Sequence, residues 1–154
     1  IGKSDAISDV IERLHEAGIE VSLFIDPSIN AVEQSHALDA DMVELHTGHF
    51  ANIYAMLNSA LPHSHHAIEE LDLPRDELKA KLADALDAIT SSAKHARSIN
   101  LEVAAGHGLN YQNVTLMTDI EAITELNIGQ SIIARSVFSG LADAVKEMKQ
   151  LCQR

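Results

Sequence analysis

The segment LEVAAGHGLNYQNV, residues 101–114, holds the residue pattern most suggestive of chemistry. An apolar, strand-like run ends there in Gly106, His107 and Gly108. An imidazole ordinarily titrates near neutrality, so a histidine can give or take a proton at working pH. Flanking it with two glycines weakens local order, which calls either for a tight turn or for something approaching the backbone closely. The plain alternative for His107 is a surface-loop histidine. A second candidate is Glu44, inside the apolar run DMVELHTG (41–48). Strand alternation puts Met42, Glu44 and His46 on one face and Val43, Leu45 and Thr47 on the other, so Glu44 is expected to be substantially desolvated. A buried carboxylate must be paired or protonated, and proton chemistry uses such environments. The structural alternative is an ion pair, with Arg135 as the candidate partner. Glu125, in ELNIGQ, raises the same question.

Two glycine-bearing turns form a third pattern. Gly106-His107-Gly108 and Asn127-Ile128-Gly129 each end a strand-like run, and SIIARSVFSG (131–140) is placed to start as a helix. In barrel enzymes the loops after the last two strands, with a short helix N-terminus, often form a phosphate cup from free N–H groups. The alternative is a pair of ordinary strand-to-helix turns needing positive φ. His63, His65 and His66 in PHSHHA suggest metal. With no clear carboxylate or cysteine partner, a solvated loop and no metal are expected.

Elements must bring these groups together. Strand-length apolar runs lie at EVSLFID (20–26), DMVELHTG, LEVAAGHG (101–108) and ELNIGQ (125–130). Between them run helical patterns: 4–18, with Ser4 as N-cap and Gly18 just past the end; NAVEQSHALDA, capped by Ser28; 76–99; and 141–151. Residues 49 to about 73 form a longer excursion, with a helical turn near 52–57 and the character of a lid. Strands alternating with helices mean βαβ units and a parallel sheet. Four parallel strands near 20–26, 41–46, 101–105 and 125–128 are expected, in that spatial order. Polar residues crowd the C-terminal end of each run, and in a parallel sheet those ends share one rim, where α/β proteins place their sites.

The 154 residues, 46% hydrophobic and 22% charged, fit a single domain, 1–154. The formal net charge of −12 argues against a nucleic-acid surface but leaves room for a small phosphorylated ligand held by backbone N–H groups. No apolar run is long enough to span a bilayer. The lone Cys152 offers no disulfide framework, and a cytoplasmic setting is expected.

The stretches VSLFIDPS, ELHTGHFA, EVAAGHGLNYQNV and ELNIGQSIIARSVFSGLADAVKEMKQL closely resemble the pyridoxine 5′-phosphate synthase family, the ring-closing enzymes of deoxyxylulose-dependent vitamin B6 synthesis. The likeness runs in order over essentially all of the chain. It implies the C-terminal half, strands five to eight, of a (β/α)8 TIM barrel, with the N-terminal half absent from this chain. It also implies a reaction without metal or organic cofactor. 1-Deoxy-D-xylulose 5-phosphate condenses with 3-amino-2-oxopropyl phosphate, giving pyridoxine 5′-phosphate, phosphate and water. By position in the motifs, His107 matches the family's proton donor and Glu44 a carboxylate that stabilises the transition state. Gly108 matches a backbone contact to the amino-oxopropyl phosphate, and Gly129 and Gln130 the phosphate-binding pair. Many members carry histidine at the position of Gln130, a change that a backbone contact would tolerate and a side-chain charge would not. The family's other catalytic groups belong to the absent half. A homo-oligomer, an octamer in the family, is implied, with partners confined to small phosphorylated substrates and excluding nucleic acid and membrane.

Two other functions compete: a non-catalytic phosphate-binding half-barrel or assembly unit, and a different barrel enzyme acting on sugar phosphates. A half-barrel leaves two strand edges free and an inner face expected to be bare and apolar, so the edge strands should find a partner.

Overall fold

The computed structural model describes residues 4–153. The elements run α1 (Ser4–Glu16), β1 (Ser22–Ile25), α2 (Ile29–Ala37), β2 (Met42–His46), α3 (Gly48–Asn58), α4 (Arg75–Ser98), β3 (Glu102–Gly106), α5 (Val114–Thr118), β4 (Glu125–Asn127), α6 (Gln130–Ser139) and α7 (Leu141–Cys152). The strands form one sheet in the order β1-β2-β3-β4, every pairing parallel. The alternation of strands and helices thus gives the α/β fold and the strand order expected of it.

Local signals account for several boundaries. Glycine at position 18, with φ 72°, ends α1, while the N–H of Ile19 reaches back to the Leu14 carbonyl at 2.9 Å. Ser28 caps α2, its hydroxyl accepting from the Ala31 N–H at 3.2 Å. Ser4 falls within the first turn of α1, and the residues before it lie outside those described.

One face of the sheet is the core. Val43, Leu45, Val103 and Ala105 are fully buried against Val32 of α2 and Ile89, Ala93 and Ala96 of α4. The apolar runs are therefore buried on the side that helices cover. The excursion after β2 is ordered: α3 and 3-10 turns at Leu61–His63 and Glu69–Leu71 pack through Ile53, Met56, Leu57 and Leu71 onto Leu78 of α4. The Arg75 guanidinium fastens it further by donating to the Leu57 carbonyl at 2.9 Å.

The opposite face departs from the expectation of a bare apolar surface. Register places Phe24, Glu44, Ala104 and Glu125 in one row across the sheet, and His46, Gly106 and Asn127 in the next. Phe24, 56% exposed, is the large apolar side chain among these seven, and the remaining row on this face runs Ser22, Met42, Glu102, with Met42 half-buried between the two polar residues. Polar side chains alternate with the buried ones, so the uncovered face is mainly hydrophilic.

Candidate active site

The rim at the C-terminal ends of the strands gathers the groups singled out above. Glu44, Gly108, His107, Gly129 and Gln130 all line one cleft of about 1000 Å³, together with His46. A smaller cavity of about 530 Å³ lies on the helix side of β4, among Met117, Ile123, Leu126, Val145 and Met148. Its walls are mostly apolar, and it is separate from the proton-transfer candidates.

Glu44 projects from the middle of β2 on the uncovered face and is half-buried. Its Oε2 accepts a hydrogen bond from Asn127 Nδ2 at 2.8 Å. The carboxylate crosses directly over Gly106. A Cβ at Gly106 would collide with Glu44 Oε1 and stand 2.9 Å from the Cβ of Asn127. Part of the glycine pattern thus has an internal cause: the close approach is made by the chain's own carboxylate. The alternative ion pair is overturned. Arg135 instead makes a two-pronged contact with Glu147, Nε to Oε2 at 3.0 Å and Nη2 to Oε1 at 2.9 Å. The next helix offers that carboxylate one face away, whereas Glu44 is held by an amide.

His107 is exposed and sits in the left-handed region at φ 80°, followed by Gly108 at φ 85°. A Cβ at Gly108 would lie 2.6 Å from the Ala51 methyl of α3, so both conformation and packing demand glycine there. The His107 ring stands beside that of His46, centroids 4.8 Å apart at 60°, and His46 meets Phe24 edge-on at 5.1 Å. Asp26 Oδ1 lies 3.4 Å from His46 Nδ1.

The loop after His107 is held by amides. Fully buried Asn113 accepts from the Asn110 N–H at 2.8 Å and donates to the Gly108 carbonyl at 3.2 Å. Ser131 donates to the Leu109 carbonyl at 2.9 Å, tying the start of α6 to the same loop. Gly129 precedes α6 without a side-chain cap, so the helix's first N–H groups keep their capacity to bind an anion at the cleft. Gly129 itself has φ −121° and open space where a Cβ would be. Its glycine is required by neither conformation nor packing within this chain.

Other candidates lie apart. The His65 and His66 rings lie 4.0 Å apart, tilted at 44°, on an exposed turn with His63. Among the described residues no group of three histidine, cysteine or acidic side chains could hold a metal ion. Glu125 is exposed on the sheet's open face. Among those residues too, no helix is long and apolar enough to cross a membrane. Sequence reasoning did not single out Asn127 or the hydroxyl of Thr47. The available signals were the alternation of Glu125 with Asn127 along β4, and a threonine sitting between a strand and a glycine.

The profile of the family described as "Pyridoxal phosphate biosynthesis protein PdxJ" matches residues 1–154. The pyridoxine 5′-phosphate synthase of Sulfurimonas denitrificans is 64% identical over 154 residues, covering 100% of this chain and 59% of the relative. That of Aliarcobacter butzleri is 56% identical over 150 residues, 97% of this chain and 58% of the relative. That of Wolinella succinogenes is 47% identical over 154 residues, 100% of this chain and 59% of the relative. The chain therefore spans less than two thirds of the length of these curated relatives, from 58% to 59%. With a profile match along its entire length, the chain belongs to the pyridoxal phosphate biosynthesis protein PdxJ family.

Proposed function

We propose that this chain is the C-terminal half, strands five to eight, of a (β/α)8 barrel that acts as a pyridoxine 5′-phosphate synthase. Residues 1–154 form a single structural unit within that barrel. The complete enzyme condenses 1-deoxy-D-xylulose 5-phosphate with 3-amino-2-oxopropyl phosphate, releasing pyridoxine 5′-phosphate, phosphate and water, in the cytoplasm and as a homo-oligomer. The observation that carries this reading is convergence: an exposed imidazole, a held carboxylate and an uncapped helix start open onto one cleft.

Each group has a part. The N–H groups at Gly108, Gly129 and Gln130 hold the phosphate of the amino-oxopropyl substrate, using the partial positive charge of the α6 N-terminus. His107 donates a proton to a leaving oxygen, so that it departs as water rather than hydroxide. Glu44, fixed by Asn127, supplies negative charge beside the cationic character that develops on the amine nitrogen as it bonds to the carbonyl carbon. The uncovered polar face becomes the lining of the barrel once the other four strands close it.

The test is a product assay on this chain fused behind the N-terminal part of the Sulfurimonas denitrificans relative. Formation of pyridoxine 5′-phosphate by the fusion, and not by the 154-residue chain alone, is expected. A folded fusion without activity contradicts the synthase reading. Activity of the isolated chain contradicts the assignment of essential groups to the other half.

A further inference from the structure

Thr47 precedes α3 as its N-cap, yet its hydroxyl makes no capping bond to that helix. A threonine in this position ordinarily accepts from an N–H of the first turn. Here the hydroxyl is turned away, across 59 and 60 residues of sequence, to the carbonyls of Gly106 at 2.6 Å and His107 at 2.8 Å. The Thr47 N–H also donates to the Gly106 carbonyl at 2.8 Å. The side chain is fully buried. In extended chain successive carbonyls point to opposite sides, so the single hydroxyl proton can be shared between two in a row only where the chain has left the extended conformation. His107 has done so, in a region that non-glycine residues enter at a cost and keep only when the surroundings enforce it.

The residues on either side of Thr47 meet the His107 ring. His46 stands against it with centroids 4.8 Å apart. A Cβ at Gly48 would lie 2.7 Å from His46 Nε2 and 3.1 Å from His107 Cδ2, so a side chain there would push the two rings apart. Backbone and ring of His107 are thus held by three consecutive residues at the end of the neighbouring strand.

We propose that Thr47 is a positioning residue for His107, its buried hydroxyl fixing the main chain that aims the imidazole into the cleft between His46 and Gly48. The inference rests on the reading of His107 as proton donor. It predicts that the hydroxyl matters more than the shape of the side chain.

The experiment uses the 154-residue chain with ring-labelled histidine, the His107 signals being assigned by their loss in His107→Gln. The parent chain is expected to show proton–proton contacts from the His107 ring to the rings of His46 and Phe24. Thr47→Val, which keeps the shape and removes the donor, loses them and moves the His107 signals toward those of an unstructured histidine. Thr47→Ser restores both. Ring contacts that survive in Thr47→Val overturn the proposal, as does Thr47→Ser behaving like the valine variant. Gly48→Ala leaves the hydroxyl in place and guards against a valine variant that fails to fold. With the hydroxyl bonds intact, its His107 backbone amide signal is expected to stay at the parental position even where the ring shifts, and a backbone signal that moves to that of an unstructured histidine overturns the proposal.

The fusion assay distinguishes the two ideas. Thr47→Val lowers kcat by about 10²-fold with KM held, and Thr47→Ser recovers it. Full turnover in His107→Asn would defeat the proton-donor reading of His107 and the positioning role together, while a folded fusion without activity would defeat the synthase reading. Displaced rings with unchanged kcat in Thr47→Val would defeat the positioning role alone.

Discussion

Asn127 Nδ2 donates to Glu44 Oε2 at 2.8 Å, joining the end of β4 to the middle of β2 over the top of β3. The intervening Gly106 makes that span possible, since any side chain there would occupy the path of the carboxylate. The bond predicts different outcomes for two substitutions. Glu44→Gln keeps an acceptor for Asn127, so the urea unfolding midpoint should barely move while turnover of the fusion falls. Asn127→Leu leaves the half-buried carboxylate without its amide and should cost about 1 kcal/mol of stability as well as rate. Equal unfolding of both variants and parent would show that the bond contributes nothing.

His107→Asn should slow the fusion by roughly 10²–10⁴-fold, the usual contribution of a general acid. Asparagine enters the left-handed region more readily than most residues, and His107 is exposed, so the thermal midpoint should stay close to that of the parent. Near-parental turnover removes His107 from the mechanism.

Gln130 distinguishes backbone from side-chain recognition. If the α6 N–H groups hold the phosphate, Gln130→Ala should change the phosphate dissociation constant by less than about threefold, because the donor survives. A side-chain bond to a charged group would instead cost tenfold or more, on the order of 1.5–3 kcal/mol. Gly129→Leu, which directs bulk into space that is open in this chain, should abolish binding in a calorimetric titration.

A pH dependence should arise far from the cleft. His15 Nε2 donates to the Asp41 carboxylate at 2.9 Å, and Asp41 also accepts from the Val21 N–H at 2.7 Å, fastening α1 to the start of β2. The Asp41 hydrogen bond, aided by the nearby Asp39 charge, raises the His15 pKa above its ordinary 6.5, against the pull of desolvation. The Val21 N–H first, and His15 second, hold the Asp41 carboxyl below its ordinary 3.8. A raised histidine stabilises fully below its unfolded value and loses that effect as pH rises through the folded one. A depressed carboxyl stabilises above its unfolded value and loses that effect as pH falls through the folded one. Both act together between the two ordinary values, 3.8 and 6.5. The urea midpoint of the parent should therefore exceed that of His15→Gln most clearly near pH 5 to 6, and the gap should narrow by pH 9. A gap that is constant with pH contradicts the assignment.

The isolated chain should also self-associate. β1 and β4 are the sheet's outer strands, and on α6 and the start of α7 Val137 is 78%, Phe138 90% and Leu141 56% exposed. Exposed apolar groups so close together usually find a partner. Sedimentation should show species heavier than the 16.7 kDa chain, and a strictly monomeric sample contradicts this.

Periodicity made the strands, their order and most helices legible, because burial on one face and helical capping are local in sequence. The ends of the strands were less so: VSLFID reads as seven residues with its preceding glutamate, while β1 is Ser22–Ile25, since pairing with β2 rather than hydrophobicity sets its length. The convergence of Glu44, His107 and the α6 start followed from parallel strands sharing a rim. What sequence could not reveal were choices among distant partners. Arg135 had several carboxylates to choose from and took Glu147, and Asn127 and Thr47 act across 83 and 60 residues. The polar character of the open face was visible in Glu44 and His46, which alternate with buried Val43 and Leu45, but the free edges drew attention to apolar content instead.

The most direct measurement is the position of phosphate in crystals of the 154-residue chain soaked with inorganic phosphate. One anion is expected at the N–H groups of Gly108, Gly129 and Gln130, within the cleft that His107 and Glu44 line. An anion found instead on the exposed histidines His63, His65 and His66, with the α6 start empty, would contradict that expectation.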